Sequence, residues 1–176
     1  MDRKVAVYRR ILIRLMDKTL VEYELSREAL DAQVREKERP PEEMAKTGRY
    51  IYLFSFSDHM ENCIHTLRRM LRFAQRIKAD VASPAIPRIF RKRIEAFSAD
   101  VVEIRNTIEH MDDEIQDDTF ENGKPILLSL AGDSDRIVIG SNSLSFETLV
   151  SLIRSLHDFC TFLIHWTDKH DEQNTT

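Results

Sequence analysis

The chain has 176 residues, 42% hydrophobic and 32% charged, with a formal net charge of −4 at neutral pH. That length suits one domain able to bury a substantial core without staples. Four Gly and five Pro are few, which argues against a loop-rich or all-β fold and for long uninterrupted elements.

The first twenty residues alternate Arg and Lys with apolar residues. They do not read as a secretory signal, and no uncharged run approaches the roughly 18 residues of a membrane span. A cytoplasmic protein without a membrane partner is the expectation. Cys63 and Cys160 both sit among apolar residues in helical patterns. They read as buried reduced thiols in a reducing compartment, with a disulfide or a catalytic thiol as the alternatives.

In chain order, residues 3–38 read as one long helix. Val5, Tyr8, Leu12 and Leu15 begin a stripe that Met16, Leu20, Tyr23, Leu30 and Val34 continue. Arg39-Pro40-Pro41 ends it, because proline cannot continue the hydrogen-bond ladder. A loop or short helical turn spans about 40–48, with Gly48 as the joint. A second helix is predicted over 49–78, with Leu53, Met60, Ile64, Leu67, Leu71 and Ala74 as its seam. Ile51, Phe54, Cys63, Met70, Phe73 and Ile77 widen that seam, so this helix should be the most buried. Ala82-Ser-Pro-Ala-Ile-Pro-Arg88 is a loop leading into a third helix over 88–117. Its seam, Phe90, Ile94, Phe97, Val101, Ile104, Ile108, Met111 and Ile115, is the most regular in the sequence. Two short apolar runs, 126–130 and 136–139, flank Ala131–Asp135 and read as a β-hairpin. Ser143 or Ser145 can then cap a fourth helix over 144–169, with Glu147 in its first turn. The expected fold is all-α: a single up-down four-helix bundle with a short β-hairpin inserted between the third and fourth long helices.

Charge is segregated along this scheme. From Arg68 to Arg93 nine Lys or Arg (Arg68, Arg69, Arg72, Arg76, Lys78, Arg88, Arg91, Lys92, Arg93) face one acid, Asp80. From Ile94 to Glu121 ten Asp or Glu face Arg105 alone. Where the second helix ends and the third begins, the bases gather at one pole. Arg3, Lys4, Arg9, Arg10 and Arg14 point the same way. A solvated charged surface accounts for such a run. It also attracts phosphates or an acidic partner in a salt-dependent way.

The third helix also carries Arg105-Asn106-Thr-Ile-Glu-His110, an Arg-x4-His pattern with a polar residue after the Arg. This stretch resembles the signature of HEPN domains, small helical bundles that often dimerise, many of them metal-independent ribonucleases or toxins. The resemblance implies catalytic roles for three residues. His110 would be the acid–base group at a ribose 2′-hydroxyl, Arg105 would stabilise the phosphate charge, and Asn106 would orient them. It further implies a homodimer with two motif copies facing a shared groove, no cofactor, and RNA as partner. Residues 105 and 110 are about 140° apart around a straight helix. The competing account pairs Arg105 with Glu109 and His110 with Asp113 or Glu114 as helix-surface ion pairs. A third reading gathers Glu61, His65, His110 and Asp113 or Glu114 as metal ligands between facing helices, although the usual Glu-x-x-His spacing is absent. The function expected from sequence is a HEPN-like domain binding or cleaving RNA. The alternative is a non-catalytic interaction protein whose basic pole meets an anionic partner.

Overall fold

A computed structural model describes residues 3–80, 85–132 and 135–166. The chain is mostly helical: α1 (Arg3–Lys37), α2 (Pro41–Thr47), α3 (Leu53–Ala79), α4 (Arg88–Gln116) and α5 (Phe146–His165). A small antiparallel sheet of β1 (Ser129–Leu130), β2 (Arg136–Ile139) and β3 (Asn142–Ser145) lies between α4 and α5 in sequence, in the order β1-β2-β3.

The long helices pack through most of the stripe residues read from sequence. Leu12, Leu15 and Met16 of α1 meet Met60, Ile64, Leu67 and Met70 of α3, and Leu149, Leu152, Leu156, Phe159 and Leu163 of α5 complete the core. Lys4 pairs with Asp80 at 3.0 Å and Glu22 with His59 at 2.9 Å, so α1 and α3 run antiparallel. α3 buries more residues than any other helix, ten, although α5 buries a larger share of its length, eight of its 20. The hydroxyls caught in these interfaces turn back on their own helices. Thr19 donates to the Leu15 carbonyl at 2.8 Å, Thr66 to Asn62 at 2.7 Å and Ser155 to Ser151 at 2.7 Å. Each of these three hydroxyls thereby finds an acceptor on its own helix, and Thr19 Oγ1 also lies 3.6 Å from Met70 Sδ of α3.

A charged clasp joins α1, α2 and the start of α3. Glu36, only 4% exposed, accepts from Arg39 Nη2 at 2.7 Å and from the Tyr50 amide at 3.0 Å through one oxygen, Oε1. Arg39 also donates to Thr47 Oγ1 at 2.7 Å and to the Gly48 carbonyl, and its guanidinium lies over the Tyr50 ring. Gly48, at φ 77°, makes the joint after α2 that the sequence indicated.

Four expectations are corrected. The second long helix begins at Leu53, not 49, because side chains of α1 capture the amides ahead of it: Glu36 that of Tyr50, and Gln33 that of Tyr52 at 2.8 Å. Ile51 and Phe54, expected to widen the seam, are each 61% exposed, as are to a lesser degree Leu53 of the seam itself and Leu20 and Val34 of the α1 stripe, and Phe56 is the buried aromatic instead. The hairpin is a three-stranded sheet. Its extra strand, β3, takes in Leu144 and Ser145, which were assigned to the fourth helix, and Gly140-Ser141 makes the two-residue turn with Gly140 at φ 55°. Residues 126–128 stay outside β1, and 133–134 of the connection lie outside the described residues, as does the predicted helical tail beyond 166. Ser145 is the cap of α5, accepting from the Thr148 amide at 3.1 Å. Finally, α4 buries only part of its regular seam. Val101, Ile104 and Met111 are buried, Phe90, Ile94, Phe97 and Ile108 half-buried, and Ile115 exposed. The reason is position: one side of α4 meets α3 and α5, another the small sheet, and the rest meets solvent.

Candidate anion-binding site

The basic run becomes a surface because α4 lies antiparallel to α3. Lys78 pairs with Glu95 at 3.7 Å at one end of this contact, and Arg68 lies in the field of Arg105 toward the other. Arg68, Arg72 and Arg76 recur every fourth residue along α3 and so share a face. Arg76 stacks over Phe73, 5.5 Å from its ring centre. Arg69, Arg72, Arg76, Arg88, Lys92 and Arg93 are exposed, and Arg68 and Arg91 are half-buried. Arg93 pairs with Asp158 at 3.4 Å. Among the described residues, the other seven have no carboxylate within 4.0 Å. The Nε atoms of Arg68 and Arg91 are buried without a hydrogen-bond partner. Burial chiefly, then the neighbouring Arg72 and Arg105, lowers the pKa of Arg68, with Glu109 opposing. Its guanidinium stays charged at any physiological pH, so the direction reports a charge drawn partly out of water beside two like charges.

The Arg105–His110 stretch is divided between two surroundings. The Arg105 side chain is 16% exposed, pairs with Glu109, and donates from Nη1 to Asn106 Oδ1 at 3.2 Å. It faces α3, where burial first of all lowers the His65 pKa, Glu109 pushing it up and Arg105 down. His110 lies on the other flank of α4, exposed, its Nδ1 3.6 Å from Asp113 Oδ2. Between these flanks, Thr107 accepts a 2.7 Å hydrogen bond from Asn142 Nδ2 of β3. Within one chain, Arg105 and His110 therefore do not converge on a shared point. Both helix-surface ion pairs expected from the i, i+4 and i, i+3 spacings are present.

The proposed metal set is likewise dispersed, since His65 sits beside Arg105 and Glu109 while His110 sits beside Asp113. Among the described residues, no three His, Cys, Asp or Glu side chains gather as metal ligands. Both thiols are free and buried, and burial pushes each up to about 12. Neither has the lowered pKa of a catalytic thiolate. Among the described residues, no helix is long and apolar enough to cross a membrane.

Sequence reading missed the proximity of His65 to Arg105. Glu61, His65, Arg68 and Arg72, spaced by four and three along one polar stripe of α3, were the available signal. Comparison with protein-family models, with curated proteins and with solved structures returns no match.

Proposed function

We propose that the four long helices make an up-down bundle whose α3–α4 end binds the phosphates of an anionic partner such as RNA, without catalysing a reaction on it. The supporting observation is the set of seven cations there that lack a carboxylate partner among the described residues. Surface cations normally gain a little by pairing, and α4 supplies many acids, yet those acids lie toward its other end. A like-charged face with its counter-charges displaced lowers its energy by taking up phosphate and releasing condensed counterions.

The HEPN-like ribonuclease reading places catalysis on Arg105, Asn106 and His110. Their divergence within one chain means that this reading needs a second copy to complete each site, and thus a homodimer.

One titration separates the two readings. A labelled single-stranded RNA is followed by fluorescence anisotropy across salt concentrations, and the same samples are run on a denaturing gel. Engagement of about four phosphates gives a log–log salt slope of about −3. Arg72→Glu with Arg76→Glu should weaken binding by at least about tenfold and flatten the slope. Binding that is absent at low salt, or indifferent to both reversals, would rule out the basic face. Metal-independent cleavage that disappears in His110→Ala would favour the ribonuclease reading instead.

A further inference from the structure

Beneath the basic face, α3, α4 and α5 form a half-open hollow of about 140 Å³. Leu71, Ala74, Ile94, Val102 and Phe159 supply an apolar floor and walls. Arg68 and Arg91 stand at its polar side with Lys78 and Glu95. Lys78 and Glu95 pair with each other at 3.7 Å, which leaves two guanidinium charges in excess. The Nε atoms of both Arg68 and Arg91 are shielded from water and have no acceptor.

Neither guanidinium has a carboxylate within 4.0 Å among the described residues, and two such charges beside one apolar hollow favour an anion that arrives from outside. Guanidinium forks match the geometry of carboxylates and phosphates. The apolar space is of the size that accommodates a benzene-like group. We propose that this cavity is a binding site for a small amphiphilic anion: a carboxylate or phosphate monoester, held by Arg68 and Arg91, on an apolar body about as large as one benzene ring. The proposal goes beyond the RNA reading. A polyanion follows the exposed cations, whereas this ligand also needs the apolar hollow between the helices to take its body.

The test titrates the full chain with phenyl phosphate, benzoate, inorganic phosphate and benzyl alcohol, reading two-dimensional NMR shifts. At least one of the two aryl anions is expected to bind saturably with a Kd on the order of 1 mM or tighter. The largest shifts should fall at Leu71, Ala74, Val102 and Phe159. Which aryl anion binds better distinguishes a phosphate headgroup from a carboxylate. Inorganic phosphate and benzyl alcohol should each bind at least about tenfold more weakly, since each lacks one half of the recognition. Arg91→Gln, at a half-buried helix position, keeps the fold and should lose tenfold or more. Ala74→Leu fills the hollow and should abolish binding while leaving RNA affinity unchanged; Val102→Phe serves where Ala74→Leu does not fold. The proposal is overturned if neither aryl anion saturates, if inorganic phosphate or benzyl alcohol binds as well as they do, or if a folded cavity-filling variant binds normally. Arg72→Glu with Arg76→Glu, which weakens the RNA interaction, should leave the aryl anions bound, so each reading can fail alone.

Discussion

Replacing Glu36 by Ala should loosen the joint between α1 and α3 more than any surface ion pair could. The carboxylate is almost fully buried, and its Oε1 accepts from both Arg39 and the Tyr50 amide. Removing one partner of a buried charge pair costs about 3–5 kcal/mol. Here the Arg39 side chain is 16% exposed and keeps Thr47 and the Gly48 carbonyl, so part of that loss is recovered. The Tyr50 amide is left unpaired, which adds back roughly 1 kcal/mol or more. A net destabilisation of roughly 2–3 kcal/mol follows, equivalent to a fall in Tm of roughly 4–12 °C for a chain of this size. Glu36→Gln retains an acceptor oxygen for both donors and should lose less than half as much. Because α2 buries no residue of its own, the damage can also appear as local opening. Urea denaturation should therefore be read beside amide hydrogen exchange at Gly48 and Tyr50. If Glu36→Ala unfolds within about 0.5 kcal/mol of the wild type and those amides exchange no faster, the clasp contributes nothing and the reasoning is wrong.

Two further outcomes follow from titrating groups. Cys63 and Cys160 hold their protons up to about pH 12 when folded, whereas an unfolded thiol ionises near its ordinary value of about 8.5. Their stabilisation is complete below the unfolded value. It declines as pH rises toward 12, by at most about 1.4 kcal/mol per pH unit for each thiol. Cys160→Ala should thus show a shallower alkaline loss of stability than wild type in urea melts from pH 8 upward; parallel curves would refute the assignment. His65 is lowered mainly by burial, with Glu109 and Arg105 acting in opposite directions. Its NMR titration midpoint should fall further in Glu109→Gln and rise in Arg105→Gln, and a midpoint that moves the same way in both variants would contradict the placement.

Much of the helical layout was legible because it is written in short-range chemistry. Arg39-Pro40-Pro41 ends α1, Pro87 precedes α4, and the spacing of Met60, Ile64, Leu67 and Leu71 keeps one face of α3 apolar whatever it packs against. What periodicity could not convey is how deeply a stripe is covered. The seam of α4 is more regular than that of α1, yet only three of its residues are fully buried, since coverage depends on where the neighbouring elements end. The first residues of α3 went astray because acceptors from α1, fourteen and nineteen residues away, capture their amides. The third strand was readable in principle, since Gly140-Ser141 is a two-residue hairpin signal, but Ser143 and Ser145 also looked like helix caps. At the site, the basic residues were found from composition, and the two flanks of α4 followed from helical geometry. The hollow under Arg68 and Arg91 was not legible, because a cavity is a property of three helices together and leaves no periodic trace in any one of them.

The shallow seat of α4 bears on the order in which the molecule assembles. α1 and α3 share the most extensive helix contact and are joined by residues 38–52, which include α2. Their docking therefore closes a modest loop for a large gain in buried area. α4 offers three buried side chains and depends on a sheet that forms between it and α5, so it is expected to dock after the barrier has been crossed. Truncating Ile64 should then slow refolding, while truncating Val101 or Ile104 should mainly hasten unfolding. A chevron in which Val101→Ala slows refolding as much as Ile64→Val, relative to the stability each removes, would reverse that order. If the order holds, the half-exposed helix that carries part of the basic face and the whole Arg105–His110 stretch is a late arrival, tuned by evolution with little consequence for how quickly the chain finds its fold.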